Sequence, residues 1–383
     1  MRDAVIVESV RTPVGKRGGG LSGVHAADLS AVVLKAIAER TGLNPELVDD
    51  VIWGCVSQVG EQTADIGRNS VLTAGWPESI PGVTVDRQCG SSQQALAFAA
   101  AGVIAGHYDI AVAGGVELMS RVPMGSTAVK EFGQPYSDAY LARYDGTRPN
   151  QGIGAEMIAD KWNLSREQLD EFSINSHEKA GAAQASGAFD SQIVPVETAD
   201  GLITKDEGIR LGSTVEKLGT LKSVFKENGK IHAGNSSQIS DGASAMLVMS
   251  SERAKELGLK PLVRVHTTVL AGGDPIMMLH VPIAATHKAL KRSGLSVDQI
   301  GAFEVNEAFA PVPMAWLKET GADEARLNPN GGAIALGHPL GGSGGRLMAT
   351  LVHHMVNNDI QYGLQTMCEG GGQANATILE LIK

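Results

Sequence analysis

Apolar residues recur along the chain in two alternating patterns. β-Branched runs such as Ala4 to Glu8 and Val51 to Val56 predict buried strands. Between them, Ala26 to Arg40 places apolar residues at helical spacing, and Gly42 follows as a residue typical of helix ends. A small-residue run from Ser91 to Ala101 predicts another helix. This alternation predicts an α/β protein with a mainly parallel sheet in each half.

The last third of the chain repeats this order. A helix is predicted over Ile283 to Arg292, and Gly294 ends it as Gly42 ends the first helix. A glycine-rich loop from Asn328 then leads into a predicted helix over Arg346 to Val356. A strand over Gly363 to Met367 follows. The repeated order predicts an internal duplication.

The middle of the chain differs in character. A strand predicted over Asp109 to Gly114 precedes a segment richer in prolines, charges and polar turns. One clear helix begins there at Ser165, with Gln168 completing a capping box. We expect three parts: an N-terminal half of residues 1–118 and 239–261, an inserted loop domain of 119–238, and a C-terminal half of 262–383.

Composition and charge limit the possible partners. Of the 383 residues, 43% are hydrophobic and 19% charged, as in ordinary soluble proteins, and the formal net charge of -10 argues against nucleic acid or anionic membrane. Three widely separated cysteines predict neither a disulfide framework nor a metal site, and they suit a reducing compartment. The sequence shows no signal peptide or long apolar stretch, so we expect a cytoplasmic protein.

Cys89 is the first candidate for chemistry. It lies between a short extended run and the helix that starts at Ser91. The unpaired N–H groups and positive end of a helix N-terminus would lower the pKa of the thiol. Gly90 leaves room for a substrate to reach the sulfur. The alternative interpretation is a buried structural cysteine.

Three further polar clusters begin at Asn306, His338 and Cys368, after predicted strands or at loop–helix junctions, where sites form in parallel α/β sheets. Each has a simpler explanation: Asn306 could cap a helix, and His338 could be an ordinary loop residue. The glycines of 341–345 lack the ending of a nucleotide P-loop. Together with Cys89, the clusters could supply a nucleophile, a base, an oxyanion site and a second proton-transfer group.

The four motifs resemble, in order and spacing, the signatures of the thiolase family. The resemblance covers essentially the whole chain, and it is nearer to bacterial degradative acyl-CoA acetyltransferases than to biosynthetic acetoacetyl-CoA enzymes. The matching segments are Arg87-Gln88-Cys89-Gly90-Ser91, Asn306-Glu307-Ala308-Phe309, residues 330–339 (Asn-Gly-Gly-Ala-Ile-Ala-Leu-Gly-His-Pro) and Cys368-Glu369-Gly370-Gly371-Gly372.

This resemblance implies a duplicated five-layer α-β-α-β-α core with a loop domain, and a homodimer or homotetramer. It implies that Cys89 takes the acyl group, that His338 activates it, and that Cys368 moves a proton. One oxyanion hole would use His338 with a water held by Asn306, and another the backbone N–H groups of Cys89 and Gly370. Coenzyme A would be a co-substrate, with no permanently bound cofactor.

The resemblance also implies where coenzyme A binds, largely on the loop domain. Ser237 matches the serine that meets the pantetheine, and Arg210 falls where a basic residue lies over the adenine. For Arg210 a solvated surface charge is the alternative. Further pocket positions fall at His177, Leu221, Ala233, Met278 and Phe309.

Two positions depart from the family pattern. Asn150-Gln151 stands near the place where biosynthetic members have a His-Met pair in the acyl pocket. Glu369 stands where small apolar residues are common, and it would raise the pKa of Cys368 if it faced the thiol.

The sequence therefore predicts a 3-ketoacyl-CoA thiolase that releases acetyl-CoA and a shortened acyl-CoA, with a β-oxidation dehydrogenase as a candidate partner. The rivals are the same fold run in the condensing direction, an acyl-carrier-protein ketosynthase and a non-catalytic CoA-binding protein. Ketosynthases commonly use two histidines or a His-Asn pair, where this chain offers Cys368.

Overall fold

The computed structural model describes residues 2–383, which form strands and helices in alternation. The strands are β1 (Val5–Arg11), β2 (Gly15–Lys16), β3 (Asp50–Gly54), β4 (Gly82–Val85), β5 (Ile110–Leu118), β6 (Val196–Thr198), β7 (Gly201–Ile203), β8 (Ser240–Met249), β9 (Val263–Gly272), β10 (Ala302–Val305), β11 (Tyr362–Glu369) and β12 (Gln373–Leu381). The helices are α1 (Ala26–Thr41), α2 (Ile66–Thr73), α3 (Ser91–Ala105), α4 (Asp138–Arg143), α5 (Gln151–Lys161), α6 (Arg166–Ala185), α7 (Val215–Gly219), α8 (Ser251–Glu256), α9 (Val281–Ser293), α10 (Pro311–Thr320), α11 (Ala333–Leu336) and α12 (Leu340–Asn357).

The strand order supports the predicted duplication. The large sheet runs β10-β11-β12-β9-β1-β8-β5-β3-β4. Outwards from the β9–β1 junction, the C-terminal half has its first strand β9, its last strand β12, and then β11 and β10. The N-terminal half has the matching order β1, β8, β5 and β3, with β4 as an additional edge strand. The helices α1 and α9 end in the same way, at Gly42 and Gly294, which both have left-handed backbone conformations with φ of 68° and 76°.

Three apolar clusters separate the layers. One joins α1 and α2 to the outer face of the N-terminal strands, and another joins α9 and α10 to the outer face of the C-terminal strands. The central cluster holds residues of α3 and α12 together with residues from the inner faces of both halves. The five layers are therefore helix, sheet, helix pair, sheet and helix, as expected.

The prediction of mainly parallel sheets is wrong. Only the pairs β3–β4, β3–β5 and β10–β11 of the large sheet are parallel. Strand β8 lies between β1 and β5, and β12 lies between β9 and β11. Each of them pairs antiparallel with both of its neighbours. The sequence pattern indicates that a strand is buried, but not whether its neighbours run parallel or antiparallel to it. This explains the error.

Two predicted boundaries are also wrong, for one packing reason. Strand β5 runs through Gly114 and Gly115 to Leu118, and α12 begins at Leu340 instead of Arg346, so the glycines are helical. A methyl group added at Gly115 would lie 2.3 Å from the backbone oxygen of Gly341. One added at Gly341 would lie 2.6 Å from the Cα atom of Cys55. These glycines permit the helix start and the sheet to touch backbone to backbone.

The segment between β5 and β8 contains α4 to α7 and a small hairpin of β6 and β7. The predicted capping box is confirmed, with Ser165 and Gln168 bonded reciprocally at the start of α6. The division into residues 1–118 with 239–261, 119–238 and 262–383 stays a prediction. Within residues 2–383, no helix combines the length and apolar character needed to cross a bilayer.

Candidate active site

Cys89 lies in a tight turn just before α3. The preceding residue, Gln88, has a φ of 49°, in the left-handed region that non-glycine residues rarely adopt. The turn is closed by the backbone N–H of Ser91, which donates to the Gln88 carbonyl at 3.1 Å. The Cys89 side chain is buried beside Met119, Leu340 and Met367. Since Leu340 follows His338 closely and Met367 precedes Cys368, this cluster brings three of the four motifs together.

The expected lowering of the Cys89 pKa is wrong. Burial raises the pKa of this thiol well above its ordinary value, and negative charge on Cys368 or Glu369 would raise it further. The helix begins two residues after Cys89, and its N-terminus does not offset the loss of water around the sulfur. Cys89 is therefore a neutral thiol.

His338 is held as a neutral imidazole. Its Nδ1 lies 2.5 Å from the Ser343 hydroxyl, and its backbone N–H donates to the Ser240 hydroxyl at 3.1 Å. Burial, assisted by the positive charge of Arg346, lowers the pKa of His338 to about 3. Among the described residues, Nε2 has no hydrogen-bond partner although it is buried. The ring is therefore fixed through Nδ1 and has a free nitrogen for proton transfer.

Asn306 and Cys368 stand side by side at the ends of neighbouring strands. The Asn306 side-chain amide donates to the Cys368 sulfur at 3.8 Å, and its backbone N–H donates to the Thr366 carbonyl at 3.1 Å. Burial raises the pKa of Cys368 to about 12, and the Glu369 charge acts in the same direction while the Asn306 bond opposes it. Asn306 is thus positioned by β11 and contacts the second thiol.

Direct bonds between the two halves fix these loops against each other. The backbone N–H of Gly345 in α12 donates to the Ser92 hydroxyl in α3 at 2.8 Å. The backbone N–H of Gly341 donates to the buried Glu117 carboxylate at 2.9 Å. The same carboxylate accepts from the backbone N–H groups of Val56 and Ser57. The start of α12, which follows His338, is therefore bonded to the half that carries Cys89.

Family comparisons decide which group of proteins has this architecture. The model for the thiolase N-terminal domain matches residues 4–252, and that for the thiolase C-terminal domain matches residues 259–381. The chain belongs to the thiolase family.

Individual relatives agree with this assignment. The chain is 50% identical over 386 residues to the steroid 3-ketoacyl-CoA thiolase FadA6 of Mycobacterium tuberculosis, covering 99% of this chain and 94% of that protein. It is 45% identical to the 3-ketoacyl-CoA thiolase of Serratia proteamaculans, with both chains covered completely. The solved acetyl-CoA acetyltransferase of Bacillus anthracis aligns with a TM-score of 0.91 at 35% identity, covering 100% of this chain and 99% of that one. The predicted thiolase-like fold is confirmed.

A cavity of about 290 Å³ on the loop segment of this thiolase contains four of the seven predicted coenzyme A contacts. Its lining includes Ile334 and Gln238, and the predicted contacts His177, Arg210, Leu221 and Ala233. The backbone N–H of Arg210 donates to His177 Nδ1 at 3.1 Å. Burial and the Arg210 charge lower the pKa of His177 to about 4, so that ring is neutral.

The other three predicted contacts lie nearer to the thiols. Met278 and Phe309 belong to the buried apolar cluster that contains Cys368, and Ile334 joins this cluster to the cavity. The backbone N–H of Ser237 donates to the Ala308 carbonyl at 2.9 Å, next to Phe309. Gly370 lines a separate small cavity with Gln88 and Met278.

The motif that begins at Asn306 contains Glu307, but the sequence alone did not indicate where the Glu307 side chain lies. Its buried carboxylate accepts hydrogen bonds from the Ser176 hydroxyl at 2.6 Å, the Asn328 amide at 2.8 Å and the Ile334 backbone N–H at 3.2 Å. It therefore joins the Asn306 loop, helix α6 and the wall of the 290 Å³ cavity. The signal available was an acidic residue two positions after a buried strand, where an unpaired carboxylate would be costly.

Two further buried ionisable side chains, Glu304 and Arg346, were not predicted from the sequence. Glu304 on β10 and Arg346 on α12 are both buried, and neither side chain forms a hydrogen bond within residues 2–383. Burial raises the pKa of Glu304 to about 8, opposed by the charge of Arg346. Burial lowers the pKa of Arg346 to about 10. Of the two, Arg346 acts on the candidate site, because its charge contributes to the lowered pKa of His338.

Glu369 is buried beside the turn that carries Cys89. A methyl group added at Gly90 would lie 2.0 Å from one of its carboxyl oxygens. Burial raises the pKa of Glu369 to about 8, opposed by the charge of Arg87. The carboxyl therefore contacts the turn that carries Cys89, and its charge raises the pKa of both thiols, as expected for Cys368.

Proposed function

We propose that this thiolase cleaves 3-ketoacyl-CoA with free coenzyme A to give acetyl-CoA and a shortened acyl-CoA. The observation that supports this most strongly is the convergence of a buried thiol, a neutral imidazole with a free nitrogen, and an amide bonded to a second thiol. The names of the relatives favour the degradative reaction over acetoacetyl-CoA synthesis.

In the proposed first half-reaction, His338 Nε2 accepts the proton of the Cys89 thiol as the sulfur attacks the ketone carbon. The bond between this carbon and the neighbouring CH₂ carbon breaks, and its electron pair leaves on the acetyl-CoA fragment. Cys368 supplies the proton that converts this fragment to acetyl-CoA. The acyl group remains on Cys89 as a thioester.

In the second half-reaction, the Cys368 thiolate takes the proton of an incoming coenzyme A thiol. The coenzyme A sulfur attacks the acyl carbon, the bond to the Cys89 sulfur breaks, and the proton on His338 returns to Cys89. Both additions place negative charge on a carbonyl oxygen. We propose two sets of donors for these oxygens: His338 with a water held by Asn306, and the backbone N–H groups of Cys89 and Gly370.

The test is an assay of acetyl-CoA release from a panel of 3-ketoacyl-CoAs, with and without free coenzyme A. We expect cleavage that requires coenzyme A, together with much slower condensation of acetyl-CoA. Binding of acyl-CoA without any turnover would instead identify a non-catalytic CoA-binding protein.

The raised pKa of Cys89 predicts an unusual pH dependence of alkylation. Because burial favours the neutral thiol, the rate of iodoacetamide modification should rise continuously with pH up to about pH 9. Modification at Cys89 would be followed by peptide mass spectrometry with the Cys368→Ser variant as background. A rate that levels off below about pH 7 would show a lowered pKa and contradict this account.

We also propose a homodimer formed at the β4 edge of the sheet. Four large apolar side chains on or near this edge are 43% to 46% exposed, namely Leu72, Val83, Phe98 and Ile104. Such a surface beside an edge strand is typical of a subunit interface. Another apolar side chain, Phe132, is 90% exposed and would allow two dimers to associate as a tetramer.

Replacing Val83 by aspartate should therefore dissociate the oligomer, because it places a charge in a contact that excludes water. Sedimentation velocity would compare V83D with L202D, a matched change at an exposed leucine of β7. We expect V83D to shift to a smaller species and L202D to sediment as the wild type does. A monomeric wild-type protein would contradict the proposal.

The remaining proposals concern the cell. We propose that the protein is cytoplasmic, that it holds no permanently bound cofactor, and that it acts in β-oxidation. A dehydrogenase that forms the 3-keto group would then supply its substrate. Co-purification with such a dehydrogenase would test the last point.

A further inference from the structure

A cavity of about 330 Å³ beside the catalytic loops has three glutamines and a tyrosine among its eight lining residues. Its lining is Gln88, Tyr136, Pro149, Gln151, Met278, Gly370, Gly371 and Gln373. It opens at the reacting end of the site, since Gln88 precedes Cys89 directly and Gly370 follows Cys368 by two positions. Ligand pockets are usually lined predominantly by apolar and aromatic side chains. Three glutamines and a tyrosine in this position therefore need an explanation.

A hydrogen bond from Arg87 fixes the orientation of the Gln373 side chain. Arg87 Nη1 donates to the Gln373 side-chain oxygen at 3.0 Å. The Gln373 amide nitrogen is thereby turned towards Gly370, whose carbonyl it meets at 3.4 Å on the cavity wall. Gln373 thus places its amide nitrogen at the cavity wall, with one N–H bonded to the Gly370 carbonyl, the second N–H unpaired and a guanidinium behind the amide.

Gln151 and Tyr136 have polar groups that are not used elsewhere. The adjacent Asn150 caps α5 with its own side chain, which accepts from the Ile153 backbone N–H at 3.1 Å. The Gln151 amide and the Tyr136 hydroxyl form no hydrogen bond within the described part of the chain. The Tyr136 ring packs against Tyr140 with centroids 4.9 Å apart, which steadies it at the rim.

We propose that the acyl chain transferred by this thiolase carries an oxygen that accepts hydrogen bonds, either a carboxylate or a ketone, bound by Gln151, Gln373 and Tyr136. This inference rests on the proposed thiolase function and adds the chemical class of its substrate. A purely alkyl chain would displace water from three donors without replacing its hydrogen bonds. An oxygen-bearing chain of the same length replaces them.

The experiment compares three 3-ketoacyl-CoAs of equal chain length: an unsubstituted one, one ending in a carboxylate, and one with a ketone beside its terminal methyl group. We expect kcat/KM for one or both oxygen-bearing substrates to exceed that for the alkyl substrate by about tenfold or more. A preference for the carboxylate alone identifies the Arg87 charge as the source of selectivity. Equal preference for the carboxylate and the ketone identifies the amides. Both results support the proposal.

Two variants assign the preference to the cavity. Gln151→Leu and Tyr136→Phe should each reduce the ratio of kcat/KM between oxygen-bearing and alkyl substrates by about threefold or more. Gln361→Leu is the matched control, because Gln361 is exposed and lies before β11, at the far end of that strand from Cys368. If Gln151→Leu unfolds, Tyr136→Phe retains the ring and carries the test alone.

Different results would contradict the substrate inference and the proposed thiolase function. Cleavage of the alkyl substrate as fast as the others would overturn the inference and leave the proposed thiolase function intact. A ratio unchanged in both variants would also overturn it, by removing the cavity from the explanation. If none of the three substrates is cleaved with free coenzyme A, the proposed function fails and the inference fails with it.

Discussion

Replacing Cys89 by alanine should reduce kcat/KM for coenzyme A-dependent cleavage by about 10⁴-fold or more. The sulfur is the only protein group in the proposed mechanism that bonds to the acyl carbon, and catalysis through a covalent intermediate cannot proceed without it. Cys368 cannot replace it, because its sulfur is bonded to the Asn306 amide and its proposed partner is the departing acetyl carbon. Steady-state kinetics with 3-ketoacyl-CoA and free coenzyme A would measure the loss.

The matched control for this variant is Cys55→Ala. Cys55 is equally buried but lies in a different apolar cluster, which packs on the outer face of the sheet. We expect its kcat/KM to remain within about threefold of the wild type, with a stability loss of roughly 1 kcal/mol from the small cavity. Cleavage by Cys89→Ala at more than about a tenth of the wild-type rate would exclude Cys89 as the nucleophile.

Replacing His338 by alanine should reduce kcat/KM by about 10³-fold, the usual contribution of a positioned proton acceptor. The pKa of His338 is lowered to about 3, so the imidazole stays neutral as the pH falls from about 8 to about 5. The wild-type kcat/KM should therefore show no acid-side decrease from this residue in that range. The pH profile and the variant together measure its role.

His287→Ala provides the control, because His287 is exposed on α9, on an outer face of the molecule. It should retain wild-type kinetics. A wild-type profile that falls below about pH 6.5, and loses this fall in His338→Ala, would show that the ring titrates normally. The buried neutral imidazole of this account would then be wrong.

Much of the fold could be predicted from local pattern. Helix ends at Gly42 and Gly294 were predicted because a left-handed residue after an amphipathic run has few alternatives to glycine. The capping box at Ser165 depends on only four consecutive residues. The four motifs could be recognised because each lies at the end of a strand or just before a helix.

The remaining features depend on contacts between distant segments. The pKa of Cys89 follows from burial by Met119, Leu340 and Met367, none of which is its neighbour in sequence. The helical conformation of Gly341 depends on its approach to Cys55 and to β5, which no local rule contains. Burial and packing between the two halves therefore determine the features that the local sequence pattern predicts wrongly.

The central claim is that Cys89 carries the acyl group between two substrates. Its most direct test mixes the protein with a 3-ketoacyl-CoA in the absence of free coenzyme A, followed by acid quenching and peptide mass spectrometry. The account predicts that the peptide containing Cys89 gains the mass of the shortened acyl group, and that added coenzyme A removes it. An acyl group found on Cys368, or on no cysteine while acetyl-CoA is still released, would contradict it.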